Sequence, residues 1–196
     1  MIASPQYLGW LLGSAGYWIA FAWGFGEATV FFILPDLLLS LTALFAFRKA
    51  WKQLGWMIVG SILGGVCIYL WTLEAPRMAR QVVDAVPFVT EEMWIKVQLT
   101  LSQHGGAGLV LGPFSGIPYK VYAVESAERV PLLWFVLFSF PARLSRLVGA
   151  VLLFGGVGAL FKQKIIVHPG ITLAMWGLYW IGMYSWYWGS LLGGTT

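Results

Sequence analysis

Charged side chains are scarce: Asp, Glu, Lys and Arg make up 10% of the 196 residues, where a soluble domain carries about a quarter. A chain so poor in charge cannot cover a water-facing surface. Cysteine is nearly absent. Cys67 is the single one, which excludes an intrachain disulfide and a cysteine-rich metal site; lying in an apolar run, it is expected to be a small buried hydrophobe. Histidine is limited to His104 and His168, far apart and near expected helix ends. No HExxH or GxSxG element occurs, so neither an enzyme nor a cofactor or metal site is expected. No Lys or Arg precedes Arg48, and without a basic n-region the first hydrophobic stretch is expected to stay in the mature protein. A basic stripe with interleaved aromatics is also missing, so nucleic acid is not an expected partner.

What is present is apolar. The chain is 59% hydrophobic and 17% aromatic, with a mean hydropathy of +0.78. The length suits a single membrane domain over 1–196, and the net charge of +4 points to anionic lipid head groups. Tyr7 to Phe25 is a 19-residue uncharged run, close to the roughly 20 residues that cross a bilayer. From Ala28 to Phe47 a second apolar stretch is broken at Pro35-Asp36, and Arg48, Lys49 and Lys52 follow it. Leu54 to Leu73 is a clean span with Gly60 and Gly64 in GxxxG spacing, a pattern of close helix packing.

Residues 74–104 form an acidic, amphipathic connector, expected as two short helices broken at Pro87, with Thr90 as N-cap and His104-Gly105 as stop. Ile95 to Leu101 alternates as a strand would; a lone strand would leave both edges unpaired, so a surface helix is expected instead. The stretch Gly112-Pro113-Phe114-Ser115-Gly116-Ile117-Pro118-Tyr119-Lys120 cannot be an uninterrupted helix, because Pro113 and Pro118 remove donors and Gly116 admits a bend. Broken backbone at membrane depth survives only where protein or a wet cavity satisfies it. Pro131 to Phe161 is a long apolar segment, expected to kink at Pro141, with Arg143 and Arg146 on one face and Lys162 and Lys164 at its end. Residues 170–192 read as a last span whose Trp176, Tyr179, Trp180, Tyr184, Trp186, Tyr187 and Trp188 resemble an interfacial belt.

Residues 7–73 and 91–161 each read as helix, broken segment and spanning helix. The expected fold is therefore an all-α integral membrane protein, with about four transmembrane helices and two opposed re-entrant helical hairpins in an inverted repeat, the second half covering 105–161. The positive-inside rule puts Arg48, Lys49, Lys52, Lys162 and Lys164 in the cytoplasm and the connector outside.

An ionisable group at membrane depth costs at least about 2.5 kcal/mol and is a functional candidate. On that ground Glu27, Asp36, Lys120, Arg143 and Arg146 are the expected site, with Pro35, Pro113, Gly116 and Pro118 shaping its loops. The bland reading, mutual neutralisation or snorkelling to the interface, competes with it. Glu125, Glu128 and Arg129 read as a solvated helix start, and His104 as a helix-end residue. Two carboxylates in a low-dielectric cavity suit proton binding, and two arginines on one face suit a phosphate.

Glu27 with Phe31-Phe32 and Pro35-Asp36, then Phe114 to Lys120, then Arg143 and Arg146 give the chain a further character. In that order and spacing it resembles the DedA family, the SNARE-associated or VTT-domain membrane proteins, and within it the YqaA-like branch. The resemblance covers roughly residues 24–161. It implies two opposed re-entrant hairpins in a bacterial inner-membrane flippase or scramblase of a phosphate-bearing lipid, linked to the proton motive force, with Glu27 and Asp36 as the first hairpin's acids. Membrane lipids and protons would be its partners, and a homo-oligomer is compatible. Many members carry arginines where this chain has Gly112-Pro113 and Lys120, and lysine does not grip phosphate bidentately. A proton- or cation-coupled transporter of a small solute is the alternative.

Overall fold

The computed structural model describes residues 8–193. It is helical, with no strand among the described residues. The elements are α1 (Ala15–Thr29), α2 (Asp36–Glu74), α3 (Pro76–Asp84), α4 (Glu91–His104), a 3-10 segment (Gly105–Phe114), α5 (Tyr119–Ser126), α6 (Leu132–Leu160), α7 (Lys162–Val167) and α8 (Pro169–Gly193). Two of them, α2 and α6, are long and apolar enough to cross a membrane.

The N-terminal third departs from the expected order. A first span from Tyr7 to Phe25 is not what forms. Tyr7 lies outside the described residues, and α1 begins only at Ala15. At 1.5 Å per residue its 15 residues reach about 22 Å, short of the roughly 30 Å of bilayer hydrocarbon. Lys49 Nζ donates to Leu12 O, which fixes the turn before α1 beside the basic cluster. That cluster does not sit in a loop. It lies within α2, just past Ala46, whose φ of −151° and ψ of 71° break the helix in two. The chain thus rises along α1, turns over at residues 30–35, descends to Ala46 and rises again.

Glycine sets how closely α1 lies against the rising part of α2. A Cβ on Gly60 would fall 2.1 Å from Phe21 O, and one on Gly24 2.2 Å from Met57 O. The GxxxG expectation holds, with α1 as the partner. Cys67 departs from expectation: it is exposed, one turn beyond Gly64 on α2, past the last glycine contact with α1.

At the other end the connector forms α3 and α4 as two short helices. Thr90 holds the N-cap position in extended backbone without a side-chain cap bond. Gly105 ends α4 with a φ of +56°, a conformation glycine adopts at little steric cost. The alternating stretch 95–101 is helix, because Met93, Trp94, Val97 and Leu101 make one buried face at helical spacing. The second broken unit then runs along the 3-10 segment, turns at 115–118 and returns as α5. Gly116, at φ +72°, makes the turn, and Pro118 in polyproline geometry starts α5.

α6 remains one helix through Pro141. Its start lies near Tyr69, which donates to Val130 O at 2.7 Å; its far end lies by Leu44, whose carbonyl would meet a Cβ on Gly158 at 2.6 Å. Two apolar clusters result. One, around Leu39, Met57 and Val151, holds the first broken unit; the other, around Trp94, Tyr122 and Phe135, holds the second. The two turns therefore approach each other from opposite ends of the long helices.

Candidate functional site

The site forms where the turns meet. Between Val30 and Phe31, whose N–H groups still reach back to Gly26 O, and Pro35, which has no donor, the helix is interrupted and the chain reverses. Backbone groups of this turn are satisfied from elsewhere: Trp23 Nε1 donates to Ile33 O at 3.1 Å, and Lys120 Nζ donates to Phe31 O at 2.7 Å. The second of these bonds joins the two broken units directly. Lys120 is 1% exposed, so its ammonium is a structural clasp as well as a charge. Lys120→Met would remove a hydrogen bond from a charged donor, at a cost of about 1.5–3 kcal/mol. A lowered melting temperature in detergent is expected; an unchanged one would show that the clasp holds nothing.

Each acid of the first unit meets an arginine of α6. Arg143 Nη2 pairs with Glu27 Oε2, and Arg146 Nη2 with Asp36 Oδ2. Glu27, Asp36 and Arg143 are all buried. The pairing follows from register: residues three apart share a helix face, and the acids bracket the turn that this face covers. Arg143 also lies over the Tyr119 ring at 5.0 Å, a cation–π contact, while Tyr119 Oη donates to Ser139 Oγ at 2.6 Å. Among the described residues Arg143 Nε has no hydrogen-bond partner.

A cavity of about 120 Å³ lies against these groups, lined by Glu27, Lys120, Arg143 and Arg146 together with Pro113, Gly116 and Pro118. The structure therefore brings four of the five expected charges to one cavity. Asp36 is the fifth and stands behind Arg146, bonded to it rather than to Lys120. Pro35 starts α2 beneath the same turn. Among the described residues no three His, Cys, Asp or Glu side chains gather to hold a metal.

Several partners were not expected. Glu125, read as solvated, is 5% exposed. Arg129 bonds it at 2.6 Å and Gln98 at 3.1 Å, and Arg80 lies 3.8 Å away. The aromatics of α8 do not serve only as an outward belt. Trp176 and Trp180 donate to Ser40 Oγ at 2.9 and 3.0 Å. Tyr184 Oη accepts from Leu34 N–H at 2.8 Å, and Tyr187 Oη donates to Gly116 O at 2.8 Å. Trp186 does face outward, at 70% exposure, and the side chain of Trp188 lies outside those described. The spacing 176, 180, 184, 187 is one helix face, a signal legible in the sequence. So is 139, 143, 146, the polar stripe of α6 that carries Ser139 with the two arginines.

Fold and site together define an all-helical protein with two membrane-length helices and a buried carboxylate–arginine cavity. No protein-family model matches the chain, and no solved structure does. It is 26% identical over 165 residues to an uncharacterized protein of Haemophilus influenzae, a similarity covering 84% of this chain and 83% of that one.

Proposed function

We propose that the protein is a DedA-like membrane transporter that flips or scrambles a phosphate-bearing lipid, a polyprenyl phosphate or a phospholipid, in the bacterial inner membrane. The membrane reading is supported by the outer faces of α2 and α6, where Leu63, Leu70, Leu133, Leu153 and Leu160 are exposed among apolar neighbours. On that reading the two broken units are re-entrant hairpins, entering from opposite leaflets, and α1 is the rising limb of the first.

The observation that carries the proposal is the paired acid–arginine contact at the cavity. Lys120, Arg143 and Arg146 against Glu27 and Asp36 leave one net positive charge, which favours an anionic guest. Arg143 Nε is a buried donor without a hydrogen-bond partner among the described residues. A proton taken by Glu27 or Asp36 releases its arginine to a phosphate. Loss of that proton restores the ion pair and expels the phosphate. The small cavity suits a head group, with the lipid chain left in the bilayer. A cavity of this size would also suit a small anionic solute, which sustains the second reading, a proton- or cation-coupled transporter of a small solute.

Liposomes containing the full chain and a fluorescent lipid phosphate test the choice. Leaflet exchange is expected, altered by an imposed pH gradient and cut at least tenfold in Glu27→Gln, whose side chain cannot cycle a proton. Exchange indifferent to Glu27→Gln and to the gradient would sink the proton-linked lipid reading.

A further inference from the structure

α8 is held to the rest of the protein in a different way from the other long helices. In α1, α2 and α6, Gly24, Gly60 and Gly158 lie against the backbone of a neighbouring helix. In α8, Gly170, Gly177, Gly182 and Gly189 have nothing within 4 Å of where a Cβ would stand. Its attachment is made instead by long aromatic side chains, in two parts. Before Gly182, Trp180 is buried and stacked on Phe154, with ring centroids 6.3 Å apart. After Gly182 come Tyr184 and Tyr187, whose hydroxyls bond the turn of the first unit at Leu34 and that of the second at Gly116. All four of those residues line the cavity. The outward face of the same helix presents Leu178, Ile181 and Trp186.

The cavity's other cover is the loop between α3 and α4, where Val86, Pro87 and Phe88 line it. There Trp94 Nε1 donates to Asp84 Oδ1 at 2.6 Å, a charge-assisted bond between α3 and α4, and Arg80 pairs with Glu91 at 2.9 Å across the loop in an exposed ion pair. Beyond Gly182, whose backbone weakens the helix, α8 reaches the two turns through the neutral hydroxyls of Tyr184 and Tyr187.

We propose that α8 beyond Gly182 is the membrane-side gate of the cavity, with Trp180 as its anchor and Tyr184 and Tyr187 as latches, one to each hairpin. The ligand then enters sideways from the bilayer rather than from water. Both latches must part for the wall to move, so opening is coupled to both turns at once. This rests on the membrane-transporter reading given above and adds the route of entry and two positioning residues.

A thiol in the cavity reports the gate. In the full chain carrying Cys67→Ser and Ala142→Cys, reconstituted in phosphatidylcholine vesicles, labelling is followed with a lipid-soluble maleimide and with a charged, water-soluble one. Tyr184→Phe with Tyr187→Phe is expected to raise lipid-soluble labelling roughly tenfold, the effect of losing two modest hydrogen bonds, and to leave water-soluble labelling unchanged. Ile117→Cys, in the second turn and also lining the cavity, serves as a second reporter with the same expectation. Unchanged labelling by both reagents, an equal rise in both, or a rise with the water-soluble one alone overturns the gate. The assay needs no transported lipid, so expected labelling without any leaflet exchange would defeat the lipid-phosphate reading and leave the gate standing.

Discussion

Arg143→Ala is expected to destabilise the protein by about 3–5 kcal/mol, the cost of leaving a buried carboxylate without its partner. Glu27 is 5% exposed, between the end of α1 and the middle of α6, and alanine removes both its counter-charge and the cation over Tyr119. The informative variant is the double one. Adding Glu27→Gln to Arg143→Ala removes the stranded charge, so more than half of the lost stability is expected to return in thermal unfolding. Leaflet exchange is expected to stay lost. Recovery of both would make the pair purely structural; recovery of neither would mean that Arg143 supports the fold through contacts other than Glu27. Arg146 is more exposed than Arg143, with 31% of its side chain accessible, so Arg146→Ala is expected to cost less stability.

The second large effect is expected from a single methyl group. Gly60→Ala sets a Cβ 2.1 Å from Phe21 O, a distance no van der Waals contact tolerates. Carbonyl oxygen in a helix cannot swing aside, so α1 must shift as a body. Overpacking of this kind costs about 1–3 kcal/mol and occasionally more, and the upper end is expected because the shift carries Glu27 away from Arg143. Gly55→Ala, in the same helix with nothing within 4 Å, is the control. It is expected to be neutral or to stabilise by up to about 1 kcal/mol. Equal losses in the two variants, read from melting temperatures in one detergent, would contradict the close contact.

Much of the site was legible because charge is rare in this chain. Against so apolar a background Glu27, Asp36, Lys120, Arg143 and Arg146 stand out, and the cost of burying each alone argues for mutual pairing. Which acid takes which arginine was not legible. It depends on the register of α6 against the first turn, over 100 residues away along the chain. Glu125 was misjudged for a related reason. Its neighbour Arg129 is visible at i+4, but Arg80 and Gln98 come from α3 and α4, and they make its surroundings buried rather than wet. Cys67 erred the other way, since an apolar run does not say how far along it a neighbouring helix reaches.

By itself the sequence determined helices in apolar surroundings, interrupted where proline and glycine deny the backbone its regular bonds, with a few charges too costly to leave unpaired. These are local consequences of residue type, and periodicity and composition express them directly. The tertiary structure alone decided that α1 is the rising limb of the first broken unit, that Lys120 ties the two turns together, and that the aromatic face of α8 lines the cavity. An apolar stretch carries no information on which neighbour it will lie beside. That choice is made by packing and by the capture of broken backbone groups from distant segments, and only the folded chain brings those segments together.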